Sequence, residues 1–263
     1  MGKKLFGTKE WANKTLNLLN GCHNNCKYCF GRENAIRFHR KTTKDWREEV
    51  LNKSAFAKKF AKRGGTIMFP STHDITQDHL TECIVYLKKM LEAGNRVLIV
   101  TKPDLACVKP MCDELEAYKD QILYRFTIGS RDDAVLKFWE PDAPNYATRA
   151  ASVQYAFWAG YNTSLSCEPM LDQRIDLVIE DLRRYITDSI WIGKMNKLRG
   201  RLSVNGFKHD EETQRAATQL LEWQKDENLE WLVEMYYSDP IIKWKESMHN
   251  LVEIFKANHK QLL

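Results

Sequence analysis

Three of the chain's seven cysteines fall within eight residues, as Cys22-His23-Asn24-Asn25-Cys26-Lys27-Tyr28-Cys29. This C-x3-C-x2-C run constrains the structure more than any other feature. Thiolates select iron–sulfur clusters, zinc or copper(I), so a loop that gathers three of them is suited to a soft metal. Structural zinc sites close with four ligands, often as two separated pairs. No second pair exists here, although His23 as the fourth ligand would make a Cys3His zinc knuckle. Three thiolates can also hold three irons of a four-iron cluster and leave the fourth open to a ligand, whereas an all-cysteine cluster leaves none open. Ordinary buried cysteines are the remaining reading. Cys83, Cys107, Cys112 and Cys167 are scattered, and an odd total excludes complete internal pairing. Reduced thiols in the cytoplasm are expected.

The composition is that of a folded protein. Of 263 residues, 43% are hydrophobic and 29% charged, with a formal net charge of +5; disordered chains are less apolar and more charged. A chain this long buries about 75% of its unfolded surface and needs no disulfide framework. No apolar run approaches the roughly 18 residues of a membrane span; Val97-Leu98-Ile99-Val100 is typical of the longest. Met1 to Phe6 carries no apolar signal stretch and no Ser or Thr at position 6 for myristoylation. The mild positive charge permits a nucleic-acid partner without requiring one. Arg32, Arg37, Arg40 and Lys41, with Phe38 and His39 among them, either track phosphates or form a solvated basic face.

Apolar segments alternate between strand and helix patterns. Strands are expected at 15–19, 66–69, 96–101, 121–128, 161–167 and 188–192. Helices are expected at 45–63, 78–93, 105–118, 145–159 and 173–185. Pro110 should interrupt the third helix or start its second part. Such alternation argues for parallel β/α units with right-handed crossovers, closed as a barrel or open as a doubly wound sheet. Beyond residue 204 the pattern changes, with helices expected at 210–226 and 241–260 and a possible strand in 227–238. In α/β barrels chemistry sits at the C-terminal ends of strands. Here those ends carry the cysteines, then Ser71-Thr72-His73-Asp74, Thr101-Lys102, Thr127 to Ser130, Cys167-Glu168, and Gly193-Lys194.

Gly21-Cys22-x3-Cys26-x-Tyr28-Cys29 resembles the signature of the radical S-adenosylmethionine (SAM) superfamily, in which an aromatic residue precedes the third cysteine. Three further segments resemble its spore photoproduct lyase-like branch: Thr72-x-Asp74 after strand two, Thr101-Lys102 after strand three, and Glu140-Pro141-x-Ala143-Pro144 followed by Arg149. Glu168-Pro169-Met170-Leu171 resembles an element of related, often phage-encoded, radical SAM-like proteins. The resemblance implies an α/β fold: a partial (β/α)6 TIM-like barrel of parallel strands over residues 1–200, with a mainly helical extension, 201–263, packed on it. It implies that Cys22, Cys26 and Cys29 hold a [4Fe-4S] cluster whose open iron chelates S-adenosyl-L-methionine. It places Tyr28 and Gly193 near adenine, Lys102 on the SAM carboxylate, Ser71 or Thr72 by the methionine moiety, and Thr127 or Ser130 at the ribose. Glu168 would bind cofactor or substrate. The implied partner is a one-electron donor such as flavodoxin or ferredoxin, and the implied substrate class includes nucleic-acid bases.

Plainer readings stand beside these roles. Lys102 would be a solvated lysine, and His73 and Asp74 would cap the following helix. Glu140 and Arg149 would form a structural ion pair, and Glu168 would pair with Arg149 or Arg174. The lyase family places a hydrogen-returning thiol beside strand two, where this chain has Pro70-Ser71. Cys167 could serve instead, or be a buried inert thiol.

Overall fold

A computed structural model describes residues 6–259. Residues 1–5, part of the segment read above for a leader, lie outside it, as does Lys260. Seven parallel strands lie side by side in sequence order: β1 (Lys14–Thr15), β2 (Thr66–Phe69), β3 (Arg96–Thr101), β4 (Ile122–Thr127), β5 (Asn162–Cys167), β6 (Ile190–Ile192) and β7 (Ile242–Trp244). The sheet curls into a half-barrel with helices around it, the partial TIM-like α/β fold expected from the sequence. Register pairs Ile67 with Val97, Ile99 with Tyr124, Arg125 with Ser164, and Trp191 with Lys243.

Alternation along each strand separates two environments. Ile67, Phe69, Val97, Ile99, Tyr124 and Phe126 join one apolar core with Leu87, Met90 and Met111 from the outer helices Leu80–Glu92 and Leu105–Glu114. Arg125, Thr127, Ser164 and Ser166 point to the opposite face and stay outside that core, although all four are buried. The half-barrel therefore has an oily exterior under its helices and an interior that mixes these polar groups with Met68, Leu98 and Trp191. Among the described residues, no helix is long and apolar enough to cross a membrane.

Helices Phe30–Arg37, Asp133–Trp139 and Leu198–Val204 stand where the sequence predicts none, and four predicted stretches differ. The first strand keeps only Lys14 and Thr15 in the sheet; Leu19–Asn20 leaves it to pair antiparallel with Val50–Leu51. The helix expected over 45–63 is absent apart from the turn Lys53–Phe56, capped by Asn52. Its apolar residues serve two directions, with Trp46 buried against the cysteine loop and Val50 half exposed, so no single helical face exists. The helix Leu105–Glu114 continues through Pro110. In the extension, 230–236 is helix, and the helix expected over 241–260 begins only at His249. Ile242–Trp244 is instead β7, paired in parallel with β6. An exposed Lys243 between buried Ile242 and half-buried Trp244 gives the period of a strand, not of a helix.

Candidate active site

The thiol loop follows Leu19–Asn20 and is fixed by its backbone. Gly21 sits at φ +104°, and a Cβ there would stand 2.1 Å from the Glu48 carbonyl oxygen, so only glycine fits. Cys29 caps the helix Phe30–Arg37, its sulfur accepting the Arg32 amide at 3.3 Å. A helix N-terminus favours a thiolate over a thiol. Cys22, Cys26, Tyr28 and Cys29 all line one cavity of about 490 Å3 at the C-terminal rim of the sheet. Burial pushes all three thiols up; for Cys29, amide hydrogen bonds and Lys102 counter part of that. Exposed His23 does not line the cavity. Among the described residues, no three His, Cys, Asp or Glu side chains converge around a single-ion position.

Opposite the thiols, the ends of β2 and β3 are joined through Asp74. It accepts hydrogen bonds from Asn24 Nδ2 in the cysteine loop at 2.8 Å, from the Lys102 amide at 2.9 Å and from the Thr101 hydroxyl. Burial raises its pKa, against the pull of Lys102 and these donors. His73 Nε2 accepts the Leu18 amide at 2.9 Å, so its proton sits on Nδ1, which bonds the Asp74 carbonyl at 2.7 Å. Burial lowers its pKa to about 4, keeping the ring neutral. Neither residue is the helix cap expected from the sequence; both tie loops together. Ser71 and Thr72 also reach the cavity, their amides held by Asn17 Oδ1 at 2.7 and 2.9 Å.

Lys102 lines the cavity too, and it is not a solvated lysine. Burial opposes its charge, and Cys26, Tyr28, Glu140 and Asp74 outweigh that, holding it as an ammonium. Its ion-pair partner is Glu140 Oε1 at 3.7 Å. Glu140 is already engaged by Arg149 Nη2 at 2.6 Å and by the Tyr28 hydroxyl. The Glu140–Arg149 pair expected from the sequence therefore exists, and it reaches into the site through Tyr28 and Lys102. Burial raises Glu140, but Arg149 and Lys102 bring its pKa below the usual carboxylate range. Because Arg149 neutralises Glu140, the Lys102 ammonium keeps free donors toward the cavity.

Thr127, Glu168 and, from the end of β6, Lys194 also reach the cavity. Glu168 pairs with neither Arg149 nor Arg174, which bond Glu140 and Asp176. Its partner is Lys245 at 3.4 Å, just beyond β7. Burial lifts the Glu168 carboxyl to about 7, with Lys245 restraining it. Three other expected site residues do not line the cavity. Ser130 is turned into a loop, accepting the Asp132 amide at 2.8 Å and donating to Asp172. Gly193 is crowded: a Cβ would lie 2.9 Å from Lys245 Cβ and Cγ and 3.1 Å from Glu168 Cγ. Its close neighbour here is a side chain of this protein. Cys167 is fully buried in the main core, its thiol pushed up by burial.

Residues outside the motifs finish the site. Lys245, fully buried, is ringed by Glu10, Glu168 and Glu246, and also donates to the Gly7 carbonyl at 3.1 Å. Asn205 clamps the thiol loop from the extension, its Nδ2 donating to the Lys27 and Cys29 carbonyls at 2.9 and 3.0 Å. Lys27 in turn donates to Thr213 at 2.9 Å. No motif marks these residues. The one available signal was the apolar Ile241-Ile242 followed by Trp244-Lys245, which repeats the apolar-body, polar-end form of the earlier strands.

No family model matches the chain, and no curated protein matches it. Solved structures do. A spore photoproduct lyase variant with bound AdoMet and dinucleoside spore photoproduct superposes with a TM-score of 0.53 at 19% identity, covering 75% of this chain and 61% of that one. Streptococcus suis SuiB bound to S-adenosylmethionine gives 0.52 at 10% identity, covering 88% and 50%, and SuiB bound to the precursor peptide SuiA gives 0.52 at 11%, covering 92% and 51%. The chain thus spans about three-fifths of the lyase and half of SuiB. The half-barrel described above is the fold that these radical SAM enzymes share.

Proposed function

We propose that this chain is a radical SAM enzyme. One observation carries the reading: Cys22, Cys26, Cys29 and the underpartnered Lys102 ammonium line the same cavity at the strand ends. The donor set fits the implied group. Three soft sulfurs on one loop suit iron, one per metal corner. Their high thiol pKa values mean that protons must leave as metal binds. The cavity, about 490 Å3, falls within the range that holds a cofactor-sized molecule. A [4Fe-4S] cluster held by Cys22, Cys26 and Cys29 would, once reduced by one electron, supply reductive cleavage of bound S-adenosylmethionine and with it hydrogen-atom abstraction from a substrate.

The chain's own residues bind, orient and shield. Lys102 presents a point charge to the carboxylate of the nucleotide. Glu140 holds the Tyr28 ring and the Lys102 head in one register. Ser71, Thr72 and Thr127 offer hydroxyls from β2 and β4. Glu168, Lys245 and the N-terminal residues Gly7 to Trp11 wall the far side, where enclosure protects a reactive species from quenching. A zinc knuckle is less well served, because His23 faces away from the cavity. A narrower reading, action on a nucleic-acid base, is favoured by one observation: the lyase that shares this fold is solved with a dinucleoside photoproduct. Pro70 and Ser71 stand where that family has its second thiol, so the outcome of the reaction would differ.

The test is anaerobic reconstitution, then incubation with SAM and dithionite. About four irons per chain and release of 5′-deoxyadenosine are expected. Cys26→Ala is expected to lose both, by iron and sulfide assay and by chromatography. A Cys26→Ala protein that retains a full cluster overturns the reading.

A further inference from the structure

We propose that residues 37–47, which cover the outside of the thiol loop, are the docking face for an acidic one-electron carrier protein. The proposal rests on the radical SAM reading, since that reading requires an electron to reach the thiols from outside.

The segment is bound directly to the loop. The Trp46 carbonyl accepts the Cys22 amide at 3.0 Å, and Arg32 Nη2 donates to the Thr43 carbonyl at 3.0 Å. Lys41 is turned inward, donating to the Glu48 and Asp45 carbonyls at 2.9 and 3.2 Å. Trp46 is 2% exposed and packs with Ala35, Cys22 and Cys29 in a small apolar cluster of their own. On this side Trp46 therefore covers Cys22 and Cys29. None of residues 37–47 lines the cavity. A substrate seated here could not present an atom to the reaction, but an electron needs only a short distance.

The outer surface has the composition of an interface. Phe38 is 70% exposed, and the Arg40 guanidinium lies 5.9 Å from its ring centroid. His39 adopts φ +52°, a left-handed helix-terminating conformation usually left to Gly or Asn, and so turns the chain just after Phe38. Arg37 and Arg47 are exposed and paired with Glu33 and Asp142. Arg40 and Lys44 are exposed and have no carboxylate partner among the described residues. Aromatic and arginine residues are enriched at interfaces, and unpaired surface cations steer an acidic partner toward its contact. Nucleic acid is also polyanionic, but a strand bound here would lie apart from the cavity. In the reaction, the carrier loses one electron and is oxidised; the cluster gains that electron and is reduced. No bond is made or broken.

The experiment uses the reconstituted full chain and the double variant Arg40→Glu, Lys44→Glu. SAM cleavage is driven either by dithionite or by a reduced acidic flavodoxin. We expect the flavodoxin-driven rate to fall about tenfold or more in the variant, while the dithionite-driven rate and the melting temperature stay unchanged. The unmodified protein should also lose flavodoxin-driven rate as salt rises. An undiminished flavodoxin rate in the variant overturns the proposal. So does a variant that loses oligonucleotide affinity while its flavodoxin rate stands, which assigns the face to nucleic acid. If dithionite drives no cleavage in the unmodified protein, the radical SAM reading itself fails and the proposal with it.

Discussion

Lys102 and Lys245 are ammonium groups facing one cavity, yet Lys102 has one carboxylate within ion-pair distance, at 3.7 Å, while Lys245 has Glu10, Glu168 and Glu246 around it. Lys102 stands between the ends of β2 and β4, and its one carboxylate is shared with Arg149. Lys245 joins the N-terminal residues, β5 and the segment after β7. The first cation keeps capacity for a ligand. The second has more negative charge around it than it can neutralise, and burial resolves the excess by lifting Glu10 and Glu168 to about 7. One wall is thus arranged to receive an anion; the other is arranged to hold three parts of the chain together.

The comparison can be broken by making the same change on both walls. Lys245→Met leaves three carboxyls without a counterion, and removing one partner of a buried ion cluster costs about 3–5 kcal/mol. We expect a large fall in melting temperature at neutral pH and a smaller one in mild acid, where the carboxyls are protonated. Lys102→Met leaves Glu140 paired with Arg149 and Asp74 with its amide and hydroxyl donors, so the loss of stability should be smaller than for Lys245→Met. Its expected effect is on SAM affinity, weaker by about tenfold or more, corresponding to a lost charge-assisted hydrogen bond of about 1.5–3 kcal/mol, read by equilibrium binding to the reconstituted protein. Equal losses of stability in the two variants would erase the distinction.

The smallest effect is pH dependence. Glu10 and Glu168 titrate near 7 when folded, against 4.5 as the ordinary value. Between those values the folded state keeps protons that the unfolded chain has released, so stability falls as pH rises through the window. Glu246 is shifted down, so its contribution is lost only in acid, below that window. Denaturation at about pH 5 and about pH 7 should show the decline, and Glu168→Gln, which cannot ionise, should make it shallower. A slope unchanged by the substitution would mean that Glu168 is ordinary.

How far the sequence discloses this site follows the same division. The thiol loop, Lys102, Thr127 and the Glu140–Arg149 pair are legible because each lies at the end of an apolar strand or in a compact motif. Asp74 is visible as a polar strand end, but its job as a tie among Asn24, Thr101 and Lys102 depends on three separate segments meeting. Lys245 and Asn205 are illegible for the same reason in stronger form. A buried lysine or asparagine looks like any other in sequence, and only the closure of distant segments gives it partners. The 45–63 segment misleads because Trp46 is apolar for the sake of the cysteines, not for a helix core. Gly193 is a glycine because Lys245 passes over it, which no reading of its own neighbourhood could reveal.

The parallel pairing of β7 with β6 has a consequence for how the molecule is made. Synthesis runs from the amino end, so the ribosome delivers the three sulfurs long before it delivers Asn205 or Ile242–Trp244. Throughout that interval the nascent loop lacks its clamp and the far wall is missing. Metal delivered to the finished molecule meets a shaped pocket, whereas metal or oxidant arriving during translation meets bare thiols.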